Sequence, residues 1–298
     1  MRIHLTLLFF VLISLQGFGQ TQDSINENYI HQYKENADFS YTSPYSEIGA
    51  PSKYIISGRV TTQYMLLATE KLPIAVAIIP DFTVRVRNEQ SAGVRTPSFK
   101  LGGSIFFHLN NDINHYKYAE LGFTHHSNGQ DGDALNPDGS INTYSGNFST
   151  NYLSLSYRFG DNLMIGQDNY SLNHRIGLEW HKWFSYETAL EGDYGFTRLL
   201  YNFSYRKYQS KNEKEFLRLN TDISYAINPI QNTPFLNLKK RLNMELTSNY
   251  SLSFMRNTFL MATLGYYGED PYNIYFKDQY SFIRFGISTG FSRYKRSL

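Results

Sequence analysis

The sequence predicts an all-β fold, a transmembrane antiparallel up-and-down β-barrel of about twelve strands. Three observations predict it. Apolar and polar residues alternate with period two in one segment after another from residue 53 onward. Aromatic residues make up 16% of the chain, with 25 Tyr and 22 Phe, which suits the girdles that flank the apolar belt of such barrels. An export-type leader precedes a chain that has no cysteine and a mean hydropathy of −0.43, so neither disulfides nor apolar helices hold it in place. A soluble secreted β-sandwich is the alternative, and it is disfavoured because soluble sheets need not alternate in every segment.

The leader runs Met1-Arg2-Ile3-His4, then an apolar stretch from Leu5 to Leu15, then Gly17-Phe18-Gly19. One positive charge, a short apolar core and a small-x-small exit read as a signal peptide over residues 1–19, cleaved near Gly19. The absence of a following cysteine excludes a lipoprotein anchor. Residues 20–52 are polar and turn-rich, with Asn26-Glu27-Asn28 and Tyr41-Thr42-Ser43-Pro44, and read as an N-terminal extension, partly disordered or packed against the barrel end. Residues 53–298 read as the barrel itself.

Parity along the strands separates two faces. From Leu172 to His181 the even positions hold Leu172, Ile176, Leu178 and Trp180, while Arg175, Gly177, Glu179 and His181 are odd. From Thr197 to Arg206, from Leu217 to Tyr225 and from Ile283 to Phe291 the odd positions are mostly apolar or aromatic instead. A lipid-facing row and a hydrated, hydrogen-bonded interior explain both sets. Closure follows, because an open sheet edge in hydrocarbon leaves backbone groups unpaired. The strands are expected to begin near residues 54, 74, 99, 117, 150, 171, 196, 215, 240, 257, 272 and 281, with the last ending at Phe291. Gly160-Asp161-Asn162 and Asn110-Asn111-Asp112 read as short turns, and residues 128–149 as a long outer loop. The 28 basic and 26 acidic residues are balanced, which makes no electrostatic case for nucleic acid.

One stretch carries chemistry. Ala119 to Ser127 alternates, so His125 and Ser127 share the face of Ala119, Leu121 and Phe123. A base beside a hydroxyl is the minimum equipment for acyl transfer, here on an apolar surface. The strand runs outward into the long loop, and the next one returns as Asn151 to Phe159 with its odd positions apolar. Asn151 therefore shares the outer face at the same end. The roles that follow are Ser127 as nucleophile, His125 as base and Asn151 as the group that fixes the ring tautomer, with the Gly129 N–H toward the oxyanion. His126 has opposite parity and reads as structural, as do Ser154 and Ser156.

His125-His126-Ser127-Asn128-Gly129, with Asn151 opening the following strand, resembles the bacterial outer membrane phospholipase A family, whose pattern is His-x-Ser-Asn-Gly and a later Asn. The resemblance continues at Val94-Arg95-Thr96, at Gly265-Tyr266-Tyr267-Gly268-Glu269-Asp270, at Tyr272-Asn273 and at Phe282-Ile283-Arg284-Phe285-Gly286. It spans most of residues 90–291 and is thin in the middle. It implies a barrel in the outer membrane that hydrolyses acyl esters of phospholipids, uses calcium, and acts as a homodimer. By position it makes Ser127 the nucleophile, His125 the base, Asn151 the orienter and Gly129 an oxyanion donor. It puts calcium on the backbone carbonyl of Gln130, where the family usually has Arg, and on Asn147, where the family has Ser. A further ligand from the facing subunit falls near Ala92, with Ser91 adjacent. Asp131, Asp133 and Asp138 in the loop are hard-oxygen candidates whose spacing does not match an EF-hand, and they read better as a solvated turn cluster.

Two other functions fit the chain. A lipid A deacylase-type hydrolase also carries a His-x-Ser pair, but its barrel has eight strands and an acidic orienter. A porin-like barrel without catalysis needs an open lumen, against which stand the bulky, charged inward residues Glu120, Arg158, Arg206 and Arg284.

Overall fold

The computed structural model describes residues 20–89, 93–94, 97–166, 168–209 and 214–292. The leader over residues 1–19 lies outside the described residues. The first elements are helix α1 (Gln20–Glu35) and strands β1 (Ser40–Pro44), β2 (Tyr54–Thr61), β3 (Tyr64–Ala68), β4 (Ile74–Arg87), β5 (Ser98–His108) and β6 (Lys117–Ser127). There follow β7 (Ser149–Ile165), β8 (Asp168–Trp180), β9 (Thr197–Tyr208) and β10 (Glu215–Ala226). Helix α2 (Leu238–Arg241), β11 (Leu242–Tyr250), β12 (Thr258–Tyr267) and β13 (Tyr280–Thr289) complete the chain.

Twelve strands close an antiparallel ring, as the alternation predicts. β4 to β13 follow in sequence order, β1 seals the ring between β13 and β2, and β2 pairs with β4. β3 is an extra strand that follows β2 after a break at Thr62-Gln63 and pairs with the first half of β4, from Tyr64↔Ile78 to Ala68↔Ala75.

Closure sorts the side chains by parity. On β12 and β13, Leu260, Leu264, Ile283, Phe285 and Ile287 are exposed on the outside, while Thr263, Arg284 and Ser288 are buried within. Leu101, Leu121, Phe123, Leu155, Ile176 and Leu199 continue the apolar outside around the ring. An apolar surface this extensive demands hydrocarbon around it. No helix among the described residues is long and apolar enough to cross a membrane. The interior is polar and tied by ion pairs. Arg59 reaches Asp38 at 2.6 Å and Asp81 at 2.7 Å, and Arg218 reaches Glu215 at 2.5 Å. Arg158, Arg206 and Arg284 are buried there, with Glu120 half-buried beside Arg158.

Both mouths are covered. At the short-turn end α1 presents Asn26, Tyr29, Gln32 and Tyr33, one helical stripe, to the barrel. Tyr33 packs on Phe106 and Tyr118 with ring centroids at 4.9 and 4.8 Å, and Asn36 just beyond the helix bonds the Tyr118 hydroxyl at 2.9 Å. At the long-loop end Phe148, Leu190, Tyr194, Phe196, Ile274 and Phe276 form a buried cluster from three loops. Between the covers lie polar cavities of about 300 and 260 Å³. Purified protein in a planar bilayer is therefore expected to show no steady porin-scale current. A sustained open-channel conductance would contradict this closed interior.

Three sequence-based expectations need correction. The barrel begins at Ser40, not at residue 53, because β1 is a stave. Its outward residues are Thr42 and Pro44, so it carries no apolar alternation to betray it. Residues 20–35 pack against the barrel end, one of the two expectations for the extension, and do so as a helix whose buried stripe is polar and aromatic rather than aliphatic. No strand begins at residue 272, since Asn273–Tyr275 is a 3₁₀ turn buried on all sides in the loop cluster, where burial has no period of two. The twelve strands are reached because one was missed and one was added. Finally, Gly160-Asp161-Asn162 is not a turn. β7 continues to Ile165 and turns at Gly166, where φ is +65°. Gly160 is needed because a Cβ there would strike the Tyr116 ring and the Leu172 carbonyl.

Candidate active site

β6 and β7 pair in a register that places His125 opposite Asn151, Ser127 opposite Ser149 and Phe123 opposite Leu153. On its other side β6 pairs with β5, so Leu101 lies opposite His125 and Phe99 opposite Ser127. Cross-strand neighbours have Cβ atoms about 5 Å apart, which is within reach of a hydrogen bond between longer side chains. His125 Nδ1 and Asn151 Oδ1 make that bond at 2.8 Å. His125 is exposed on the same outer face as Leu121 and Phe123. Ser127 sits half-buried one pleat farther along that face. Among the described residues its hydroxyl bonds to no side chain. Catalytic hydrogen bonds are often long without substrate and tighten when it binds.

Several features frame the pair. The Asn151 Nδ2–H donates to the Ser185 carbonyl at 2.7 Å. Phe184 meets Phe123 edge-on at 5.3 Å, and Phe82 meets Phe99 edge-on at 5.3 Å. Leu101, 52% exposed, extends this apolar field beside the imidazole. Gly129 adopts φ +63°, and a Cβ there would press on the Phe99 ring at 3.1 Å, so glycine answers both demands of this turn.

Asn128 sits between Ser127 and Gly129 and has its own task. It is buried, its Oδ1 accepts the Phe148 N–H at 2.9 Å, and its Nδ2 donates to the Gly146 carbonyl at 2.8 Å. These bonds clip the two ends of the long loop together where β6 ends. The motif includes Asn128 without assigning it a role, although its even parity marks it as inward. The sequence reading passed over Phe184 and Ser185, which no spacing rule links to β6. His126 is buried as parity requires, with Nε2 2.8 Å from the Ser98 hydroxyl and its carbonyl accepting from Asn273 at 3.4 Å.

The expected calcium ligands fall on the loop neck. The Gly132 N–H bonds the Ser145 carbonyl at 2.9 Å, and the Asn147 N–H bonds the Gly132 carbonyl at 2.8 Å, so the two legs bearing Gln130 and Asn147 lie together. Asn147 is exposed and Gln130 half-buried. They offer neutral oxygens, whereas calcium takes six to eight oxygen ligands, commonly with carboxylates among them. Among the described residues no group of three or more Asp, Glu, His or Cys is placed to hold a metal. Ala92 and Ser91 lie outside the described residues. Asp131 and Asp133 are exposed. Asp138 turns inward on its own loop, accepting from the Ser140 N–H at 2.9 Å and the Ser140 hydroxyl at 2.6 Å, and these bonds lower its pKa below the usual carboxylate value. It belongs to a turn, not to a ligand cage.

No protein-family model and no curated protein sequence matches the chain. Among solved structures, the outer membrane phospholipase A from Escherichia coli matches with a TM-score of 0.54 at 12% sequence identity, over 90% of this chain and 98% of that one. The two share the fold, a closed twelve-stranded antiparallel barrel.

Proposed function

We propose that this protein is an outer membrane phospholipase A, a carboxylic ester hydrolase that works on phospholipids from the lipid-facing side of its barrel. One observation carries the reading. An imidazole held by a carboxamide at 2.8 Å stands on the apolar outer wall, with a serine one pleat away. Acyl chains lie against that wall in a membrane, so an ester bond reaches Ser127 without leaving the lipid.

The chemistry follows from the roles. Ser127 Oγ attacks the ester carbonyl carbon as His125 Nε2 takes its proton. The Asn151 oxygen holds the imidazolium through Nδ1–H. The oxyanion meets the backbone N–H of Gly129. The C–O bond to the leaving alcohol breaks as His125 returns the proton to it. Water then attacks the acyl-serine by the same route and releases the fatty acid.

The test is fatty-acid release from phospholipid in mixed micelles by the folded, purified barrel. Release is the expected result, and a folded protein that releases none would refute the reading. Calcium and a second copy of the chain belong to the proposal as well. Gln130 and Asn147 supply two donors, and the rest come from water and a facing subunit. Activity is accordingly expected to fall when calcium is chelated and to return with added calcium, in step with a cross-linkable dimer. Full activity in chelator would leave the His125–Ser127 chemistry standing and remove the metal from it.

A further inference from the structure

The register of β6 and β7 brings Asn151 to His125, but it does not decide which end of the amide faces the ring. The two ends differ: Oδ1 only accepts and Nδ2 only donates. An amide turned the wrong way would offer N–H groups to Nδ1 and favour the tautomer with its proton on Nε2, which cannot act as base toward Ser127. The deciding contact comes from the loop between β8 and β9. β8 leaves β7 after Trp180, and the chain returns to the start of β7 near residue 185. There the Ser185 carbonyl, an acceptor only, sits 2.7 Å from Asn151 Nδ2. It admits the orientation with the NH₂ group toward it and Oδ1 toward His125.

We propose that residues 182–187 are the positioning segment of this site, setting the His125 tautomer through the Ser185 carbonyl and the Asn151 amide. The proposal rests on the hydrolase reading for its meaning, though not for its test. Three contacts fix the segment in place. The Glu187 N–H bonds the Ser149 carbonyl at 2.9 Å, and Thr150 and Tyr186 form an antiparallel bridge. Phe184 lies edge-on to Phe123, the residue one pleat inward from His125. Tyr186 in turn packs on Phe196 at 4.5 Å, in the loop cluster that covers the barrel mouth. Loop packing is thereby coupled to the protonation pattern of an exposed imidazole.

A conventional orienter improves when amide becomes carboxylate, because the negative charge steadies the imidazolium. Here the opposite is expected. In Asn151→Asp a carboxylate oxygen would face the Ser185 carbonyl oxygen with no proton between them.

The test uses the full protein in detergent micelles, labelled with ¹⁵N-histidine, with His125→Gln assigning the resonance. In its neutral form, wild-type His125 is expected as the Nδ1–H tautomer. In Phe184→Ala, which removes the segment's contact with β6 and loosens its hold on Asn151, the signal is expected to move toward a mixture of tautomers. Asn151→Asp is expected to hydrolyse ester at pH 8 at least about tenfold more slowly than wild type, because a carboxylate only accepts, and its repulsion from the Ser185 carbonyl carries it and the imidazole it holds out of position. Heat-modifiable gel migration checks that both variants fold. A wild-type tautomer signal in folded Phe184→Ala overturns the proposal, and so does Asn151→Asp turnover at or above wild type. A wild type with no hydrolysis sinks the hydrolase reading alone, and the tautomer spectrum then decides the positioning by itself.

Discussion

Replacing Ser127 with alanine is expected to lower phospholipid hydrolysis at least about a thousandfold and to leave the barrel intact. Removing the nucleophile of a Ser–His pair takes away the covalent route, and only binding and oxyanion contacts remain. The structural cost is small for a specific reason. Ser127 is half-buried on the outer face, opposite Phe99 on one strand and Ser149 on the other, and its hydroxyl bonds to no side chain among the described residues. Losing it should change stability by no more than about 0.5 kcal/mol, the usual range for surface changes that break no bond. Fatty-acid release and heat-modifiable migration, measured on one preparation, read the two halves separately. Unchanged release would remove Ser127 as nucleophile.

Arg85→Met is expected to destabilise the barrel by about 3–5 kcal/mol, the cost of breaking a buried ion pair and leaving its partners charged. Arg85 on β4 is 6% exposed and bonds Asp270 at 2.7 Å, with Glu47 at 3.0 Å. The Tyr280 hydroxyl spans the same two carboxylates at 2.7 and 2.9 Å. The guanidinium also lies 4.0 Å from the Tyr272 ring centroid. One side chain thus ties β4 to the β1–β2 link and to the loop after β12. Without it, Asp270 loses its cation and Glu47 keeps only the more distant Arg284, at 3.7 Å. Equilibrium unfolding in denaturant from detergent micelles measures the loss. Adding Glu47→Gln and Asp270→Asn should recover part of it by removing the uncompensated charge. A wild-type midpoint for Arg85→Met would show that the cluster is not what holds these three segments.

Legibility in the sequence followed burial. Wherever one face of a strand meets hydrocarbon and the other meets a polar interior, the pattern repeats every two residues, and strands such as β12 and β13 are read at once. β1 escaped because Thr42 and Pro44 make up its outward face, and α1 because it buries Asn26, Tyr29, Gln32 and Tyr33. Residue 272 misled because an aromatic-rich loop imitates a strand when it is buried on every side. At the site, parity placed His125, Ser127 and Asn151 on one face, since parity depends on the pleat alone.

The sequence by itself determined the barrel, its approximate strand number, which residues face outward, and the pairing of His125 with Asn151 across one hairpin. All of these are short-range consequences of a two-residue period and of loop length. Tertiary structure alone decided how the ring is sealed by β1, how both mouths are covered, and which carbonyl faces the Asn151 amide. Those depend on contacts between segments far apart in the chain, such as Asn151 with Ser185 or Arg85 with Asp270. No local periodicity encodes such a contact, because its partners meet only when the sheet has curled back on itself.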